Sequence, residues 1–312
     1  MGLLFGPDMD LTLVILAAGL STRYGQGLKQ ADGVGPSGEY LWEYAVHDAA
    51  RAGFGRVVLV IRPGLEPELS RRVGFMAGDL EVVFAVQALD AVPPTVAVPD
   101  GRRKPWGTGH AVLAAAPAVS SPFVVVNADD FYGAAAYEAI AAHLRRHAST
   151  APPQFAMAGY RLASTLSAHG GVSRAIVSAD ARGLVSSVVE VVDIATRDAR
   201  LGGRTLGGEA VSLTGDELVS MNCWGFTPAI FPMLREGFAR FLRTRGTDPA
   251  AEFVISDEVG ALVAAGEAQL HLLPSGDEWC GMTAGPDRDD VRRRLAALVA
   301  AGRYPSPLFQ ST

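Results

Sequence analysis

The chain has 312 residues, 49% of them hydrophobic, and a formal charge of −6 from 27 basic and 33 acidic side chains. That length and apolar content allow one large α/β domain, or two small ones, with a sizeable core. No basic block stands out, which argues against a nucleic-acid surface; an anionic substrate would be held by a few placed cations.

In chain order, residues 1–10 contain no Lys or Arg and lead straight into a short apolar run. A signal-peptide n-region is therefore missing, and this segment reads as an N-terminal extension in which Met9 is a second candidate start. No apolar run reaches the roughly 18 residues of a membrane span. Strands are then expected at Leu11–Leu16, Val57–Ile61, Glu81–Val86 and Phe123–Asn127. They are almost continuously apolar, as strands covered on both faces are. Helices are expected between them, at Glu39–Ala52, Glu66–Phe75, Thr108–Ala116 and Ala134–His147. Such alternation predicts a parallel sheet with helices on both faces, and ligands at the carboxyl ends of its strands.

The second half changes character. Strands are expected at Gln154–Tyr160, Val172–Ser178, Leu184–Val192 and Leu218–Phe226, without long helices between them. Asp180-Ala-Arg-Gly183 reads as a hairpin turn, and Arg197 to Gly215 as a Gly-rich, mobile hairpin or loop. Helices resume at Ala229–Arg243, Ala251–Ala264 and Pro286–Ala301. Neither repeat nor linker divides the chain. A single domain is expected over residues 11–302, with halves of about 11–150 and 151–290 and a tail from 303 to 312. Cys223 and Cys280 form no CxxC pair and suggest neither zinc nor a disulfide framework. Buried thiols in a reducing cytoplasm are the expectation.

The stretch that follows the first strand carries most of the chemistry. It runs Leu16-Ala-Ala-Gly-Leu-Ser-Thr-Arg-Tyr-Gly25, with Lys29 shortly after. Gly19 permits a sharp turn and close approach of backbone N–H groups to an oxyanion. Ser21 and Thr22 add small donors, Arg23 offers a planar fork for phosphate oxygens, and Lys29 a point charge. Neither GxxxxGK[ST] nor G-x-G-x-x-G follows this strand, so two other phosphate loops are excluded. Further on, Val124-Val-Val-Asn-Ala-Asp-Asp130 is a buried strand running into two acids. Alternation predicts that only one of the pair points into the crevice.

The first of these segments resembles the signature loop of the nucleotidyltransferases that join a nucleoside triphosphate to a sugar 1-phosphate, a Leu-Ala-Ala-Gly-x-Gly-Thr-Arg motif followed by Lys. Ser21 stands where many members carry Gly. The resemblance implies a Rossmann-like α/β fold: a mixed, mostly parallel sheet flanked by helices, with a smaller mixed acceptor-binding subregion. It implies nucleotide contacts from Ala17, Ala18, Gly19, Ser21 and Thr22, and catalytic charge from Arg23 and Lys29. Gly107-Thr-Gly-His-Ala111 is similar to the family's base-recognition turn, which implies that Gln87, Gly107 and Thr108 meet the base. Asp129 falls on the Mg²⁺ position.

Later segments resemble the family's sugar-phosphate site and imply acceptor contacts from Gly171, Glu190 and Asn222. The usual Lys after that Glu is Val191 here; Lys29, Arg174 or Lys104 could supply its charge. Many members add a second Asp in a late segment. In Glu278-Trp-Cys-Gly-Met-Thr-Ala-Gly-Pro-Asp287, Gly281 or Met282 takes that place, and Asp257, Asp277 and Asp287 remain as alternatives. The partners implied are an NTP and a sugar 1-phosphate, with no nucleic acid, no membrane, and a homo-oligomer compatible with the chain. A transferase using another phosphate, such as phosphocholine, and a non-catalytic nucleotide-binding regulator are the competing readings.

Overall fold

The computed structural model describes residues 10–19, 33–74, 80–167, 170–198, 200–205, 207–282 and 287–309. Its strands, in chain order, are β1 (Leu11–Leu16), β2 (Phe54–Ile61), β3 (Glu81–Val86), β4 (Phe123–Asn127), β5 (Asp130–Phe131), β6 (Gln154–Arg161), β7 (Val172–Ala179), β8 (Val185–Arg197), β9 (Arg200–Thr205), β10 (Ala210–Leu213), β11 (Leu218–Phe226), β12 (Gln269–Pro274) and β13 (Cys280–Gly281). The helices are α1 (Leu41–Arg51), α2 (Glu66–Val73), α3 (Thr108–Ala115), α4 (Ala134–His147), α5 (Ile230–Arg245), α6 (Ile255–Ala264) and α7 (Asp287–Ala300). No described helix is long and apolar enough to cross a membrane.

Strands β3, β2, β1 and β4 lie side by side and parallel, as their apolar sequences predict. Alternation along β1 explains the layers. Leu11, Leu13 and Ile15 pack into one core with Trp42 and Val46 of α1 and Ile140 of α4. Val14 points the other way, into a second core with Val112 of α3, Phe238 of α5 and Val259 of α6. A sheet buried on both faces needs apolar residues at successive positions, which is why β1 shows no polar alternation.

The same sheet continues into the second half, eleven strands in all among the described residues, and there the pairings are antiparallel except between β6 and β12. Strand β8 runs on to Arg197, and the segment expected to be a hairpin or loop forms the hairpin β9–β10, of which β9 pairs with β8. The helix expected from Ala251 starts only at Ile255. Residues 251–254 are held in an extended path instead, with Phe253 N donating to Trp106 O (2.6 Å) and Gly109 N donating to Phe253 O (2.9 Å). Strand β12 was not legible in the sequence, because Gln269, His271 and Pro274 interrupt it. It pairs parallel to β6 and buries Leu270 and Leu272.

Strand β11 joins the two halves. One edge pairs with β6 on both sides of Met221–Cys223. Its other edge pairs first with β7, through Leu218–Ser220, and then with β4, through Trp224–Phe226. Between these stretches the register slips: Ser220 faces Gly159 and Trp224 faces Met157. Met221, Asn222 and Cys223 therefore stand against one residue of β6, a bulge that re-aims the strand. Asn222 takes a left-handed backbone, φ 64°, a conformation that asparagine tolerates better than most side chains do.

The buried Tyr132 hydroxyl secures the bulge. It lies 2.9 Å from Met221 O and 3.1 Å from Asp130 Oδ2, and it accepts from Asn127 N at 3.1 Å. Burial, foremost, and Asp130 raise the phenol far above its ordinary pKa, so it serves as a neutral donor. Tyr132→Phe leaves these buried groups short of a partner, and we expect a loss of about 1–3 kcal/mol in a urea unfolding titration. An unchanged midpoint would show that the bulge holds without the hydroxyl.

Candidate active site

The carboxyl ends of β1 and β4 lie side by side, with Leu16 opposite Asn127. Ala17 N bonds to Val60 O and Ala128 N to Leu16 O, so both chains leave the sheet together. Ala17 and Ala18 are buried and Gly19 is exposed at the start of the turn. The expected phosphate-loop residues Ser21, Thr22, Arg23 and Lys29 lie outside the described residues.

At the carboxyl end of β4 opens a cavity of about 230 Å³, lined among others by Asn127, Asp129, Asp130, Arg174, Glu190 and Asn222. The structure thus brings together the expected metal carboxylate and two expected acceptor residues, from β8 and β11. Both acids of the Asp pair line the cavity, whereas strand alternation predicts only one. The reason is that the chain turns between β4 and the two-residue strand β5, which ends the alternation.

A directional chain of hydrogen bonds crosses the site. Trp224 Nε1 donates to Asn222 Oδ1 (2.7 Å), Asn222 Nδ2 to Asn127 Oδ1 (2.6 Å), and Asn127 Nδ2 to Asp130 Oδ2 (2.8 Å). Every donor points towards the Asp130 carboxylate, so the bonds polarise one another in one sense. Asn222 is thereby fixed at both ends of its amide. Asn127 was legible only as a polar residue ending an apolar strand.

The late segment completes this wall. Gly281 pairs with Asp130 in the β5–β13 ladder, and Met282 N donates to Asp129 O (3.1 Å). A Cβ at position 281 would collide with Asp130 Oδ1. Of the two positions where a second Asp is expected, Gly281 thus lies tight against Asp130 and the Trp279 ring. Of the alternatives, Asp277 is committed elsewhere: its Oδ2 accepts from Ala135 N (2.9 Å) at the start of α4, and its Oδ1 from Arg303 (3.0 Å). Asp287 opens α7. Asp257 lies by Glu190 in an adjoining cavity.

Arg174 supplies the positive charge of the described cavity. Its guanidinium donates to Thr165 O (2.6 Å), Thr165 Oγ1 (3.2 Å) and Ser173 O (2.8 Å), and lies 5.3 Å from the centre of the Trp279 ring. Burial lowers its pKa, while Asp130 and Glu190 oppose that shift. An arginine starts so high that it stays charged. Burial, and then Asp257, raise the pKa of Glu190, with Arg174 opposing. Of the compensating cations considered from sequence, Lys104 stands 3.9 Å from Glu252 on the surface and does not line this cavity.

Gly171 also falls outside the cavity lining and packs against Asp193. The residues expected at the base form a separate unit. Gln87 is 5% exposed; its Nε2 lies 3.0 Å from Gly107 O and 3.3 Å from His110 Nδ1. The donor atom expected to read a base therefore braces the glycine turn. His110 Nε2 sits 3.1 Å from Ala91 O and burial lowers its pKa, which makes it a neutral packing residue. Gly107 has φ 106° and lies tight against the Phe253 backbone, where a side chain would not fit. Thr108 Oγ1 accepts from Ile255 N (3.0 Å). The next residue, Ser256, lines the Asp129 cavity and so links this unit to the site.

Among the described residues no group of three or more His, Cys, Asp and Glu converges on a point. A hard cation that takes most of its ligands from phosphates and water needs only one or two carboxylates. Asp129 and Asp130 meet that requirement; a cage made wholly of protein ligands is not present among the described residues.

No family model matches the sequence, and no curated protein matches it. Solved structures do match its fold. The inositol-1-phosphate CTP transferase from T. maritima superposes with a TM-score of 0.57 at 11% identity, over 94% of this chain and 97% of that one. UDP-glucose pyrophosphorylase complexed with UDP-glucose superposes with a TM-score of 0.58 at 14% identity, over 93% and 99%. The chain has the fold of these nucleotidyltransferases along nearly its whole length.

Proposed function

We propose that this protein is an enzyme that transfers a nucleotidyl group from an NTP to a sugar 1-phosphate. The observation that carries the reading is the single cavity holding Asp129, Arg174, Glu190 and Asn222 at the carboxyl end of β4, whose neighbour β1 leads into the Ala17–Gly19 turn. That turn begins the signature loop, and the fold is shared with a CTP transferase and a UDP-glucose pyrophosphorylase. An acceptor phosphate oxygen bonds to the α-phosphorus of the NTP as the bond to the bridging oxygen of pyrophosphate breaks. The nucleophile is already an anion, so no general base is required. Positioning and charge neutralisation carry the catalysis.

Arg23 is assigned to the departing pyrophosphate and Lys29 to the α-phosphate or the acceptor, with Ser21, Thr22 and Gly19 around the triphosphate. Gln87 and Thr108 hold the Gly107 turn against which the base lies. Glu190 and Asn222 bind the acceptor, and Arg174 takes the role of the missing Lys after Glu190. Asp129, with Asp130 beside it, would hold Mg²⁺, which when bound offsets phosphate charge. The two buried, unpaired thiols fit a reducing cytoplasm.

With Mg²⁺ present, four NTPs tested against sugar and polyol phosphates and phosphocholine should release pyrophosphate for at least one pair with a sugar 1-phosphate, and EDTA should abolish the signal. Nucleotide binding without release from any pair would sink the enzyme reading. Asp129→Ala and Arg23→Ala should each lower kcat about 100-fold or more, the scale of losing one preorganised charge contact; near-wild-type rates in both would place the chemistry elsewhere. For Glu190→Gln, removal of an acceptor contact is expected to raise KM for the acceptor about tenfold, with a smaller change in KM for the NTP. The reverse pattern would move Glu190 to the nucleotide side.

A further inference from the structure

We infer that the acceptor site continues past Glu190 into a second subsite that holds a further hydroxyl-bearing ring on the acceptor; this rests on the transfer reading above. A cavity of about 440 Å³ lies between β8 and α6. Ala175, Glu190 and Ser256 line both it and the cavity of Asp129, so the two share a wall. The second space is larger than the about 230 Å³ of the first, and the phosphate chemistry does not use it.

Its lining matches a sugar ring. Ser186, Ser187 and Asp257 bring hydroxyl and carboxylate groups, while Val185 and Leu270 form apolar wall. A sugar has a hydroxyl edge and an apolar C–H face, and mixed pockets with a few placed polar groups recognise such ligands. Neither Lys nor Arg lines the space, so the chemistry favours an uncharged substituent over a second phosphate.

Gly260 is an independent observation. It lies inside α6 and lines the same cavity, and an added Cβ there would meet no atom within 4 Å. Glycine within a helix is less favourable than alanine, and no neighbour requires it here. What it leaves is open volume next to Ser256 and Asp257.

The test measures pyrophosphate release with glucose 1-phosphate and with a set of disaccharide 1-phosphates across the four NTPs. The wild-type protein should turn over at least one disaccharide phosphate with kcat/KM about tenfold or more above that for glucose 1-phosphate. Gly260→Leu, which fills the space, should lower the ratio of disaccharide to monosaccharide kcat/KM about tenfold or more. Gly260→Ala should lower it in the same direction by a smaller factor and raise the melting temperature, which separates cavity filling from misfolding. Preference for glucose 1-phosphate over every disaccharide phosphate, or an unchanged ratio in Gly260→Leu, overturns the inference and leaves the transfer reading standing. Pyrophosphate from no pair at all overturns that reading, and the subsite with it.

Discussion

The structure depends on a strand that must belong to two differently built halves of one sheet. Strand β11 pairs with β6 along one edge and divides its other edge between β7 and β4. A straight strand cannot satisfy both partners, because the parallel half and the antiparallel half approach it at different places. The three-residue bulge at Met221–Cys223 resolves this. It also gives Asn222 its left-handed backbone and aligns its amide with Asn127. The same distortion that joins the halves thus places Asn222 in the wall of the cavity that Asp129 and Glu190 also line.

Charge in the site is arranged by groups that do not touch one another in sequence. Asp130 is fed by donors from β4 and from Tyr132, and Asp130 in turn explains why position 281 is glycine. Arg174, on the neighbouring strand β7, stands opposite Val191 in the ladder and lines the cavity with Glu190. Its contact with Trp279 contributes about 0.5–2 kcal/mol and ties the antiparallel half to the late segment.

Much of the parallel half could be read from the chain. Leu11–Leu16, Glu81–Val86, Phe123–Asn127 and Ala134–His147 have the bounds that their periodicity predicts. The antiparallel half was less legible. Arg200–Thr205 is rich in glycine and arginine, yet it forms a strand because β8 extends a free edge to it. Ala251–Val254 has helical character in sequence, but the Trp106 and Gly109 backbone groups draw it into an extended path. The site divides in the same manner. Asp129, Glu190 and Asn222 line one cavity, while Gln87 spends its donor on Gly107 and Gly171 lies outside the cavity.

The sequence by itself determined the alternating α/β layout, the place of the turn after β1, and the residue types at the carboxyl ends of the strands. These follow from local periodicity and from side-chain chemistry, which neighbours along the chain reveal. Only the tertiary structure decided which polar side chains are spent on one another, and which of them face open space. That Asn127 and Asn222, Arg174 and Trp279, or Asp130 and Gly281 come together depends on strand register, and register is set by pairings between distant segments. A one-residue slip would turn each of these side chains to the opposite face.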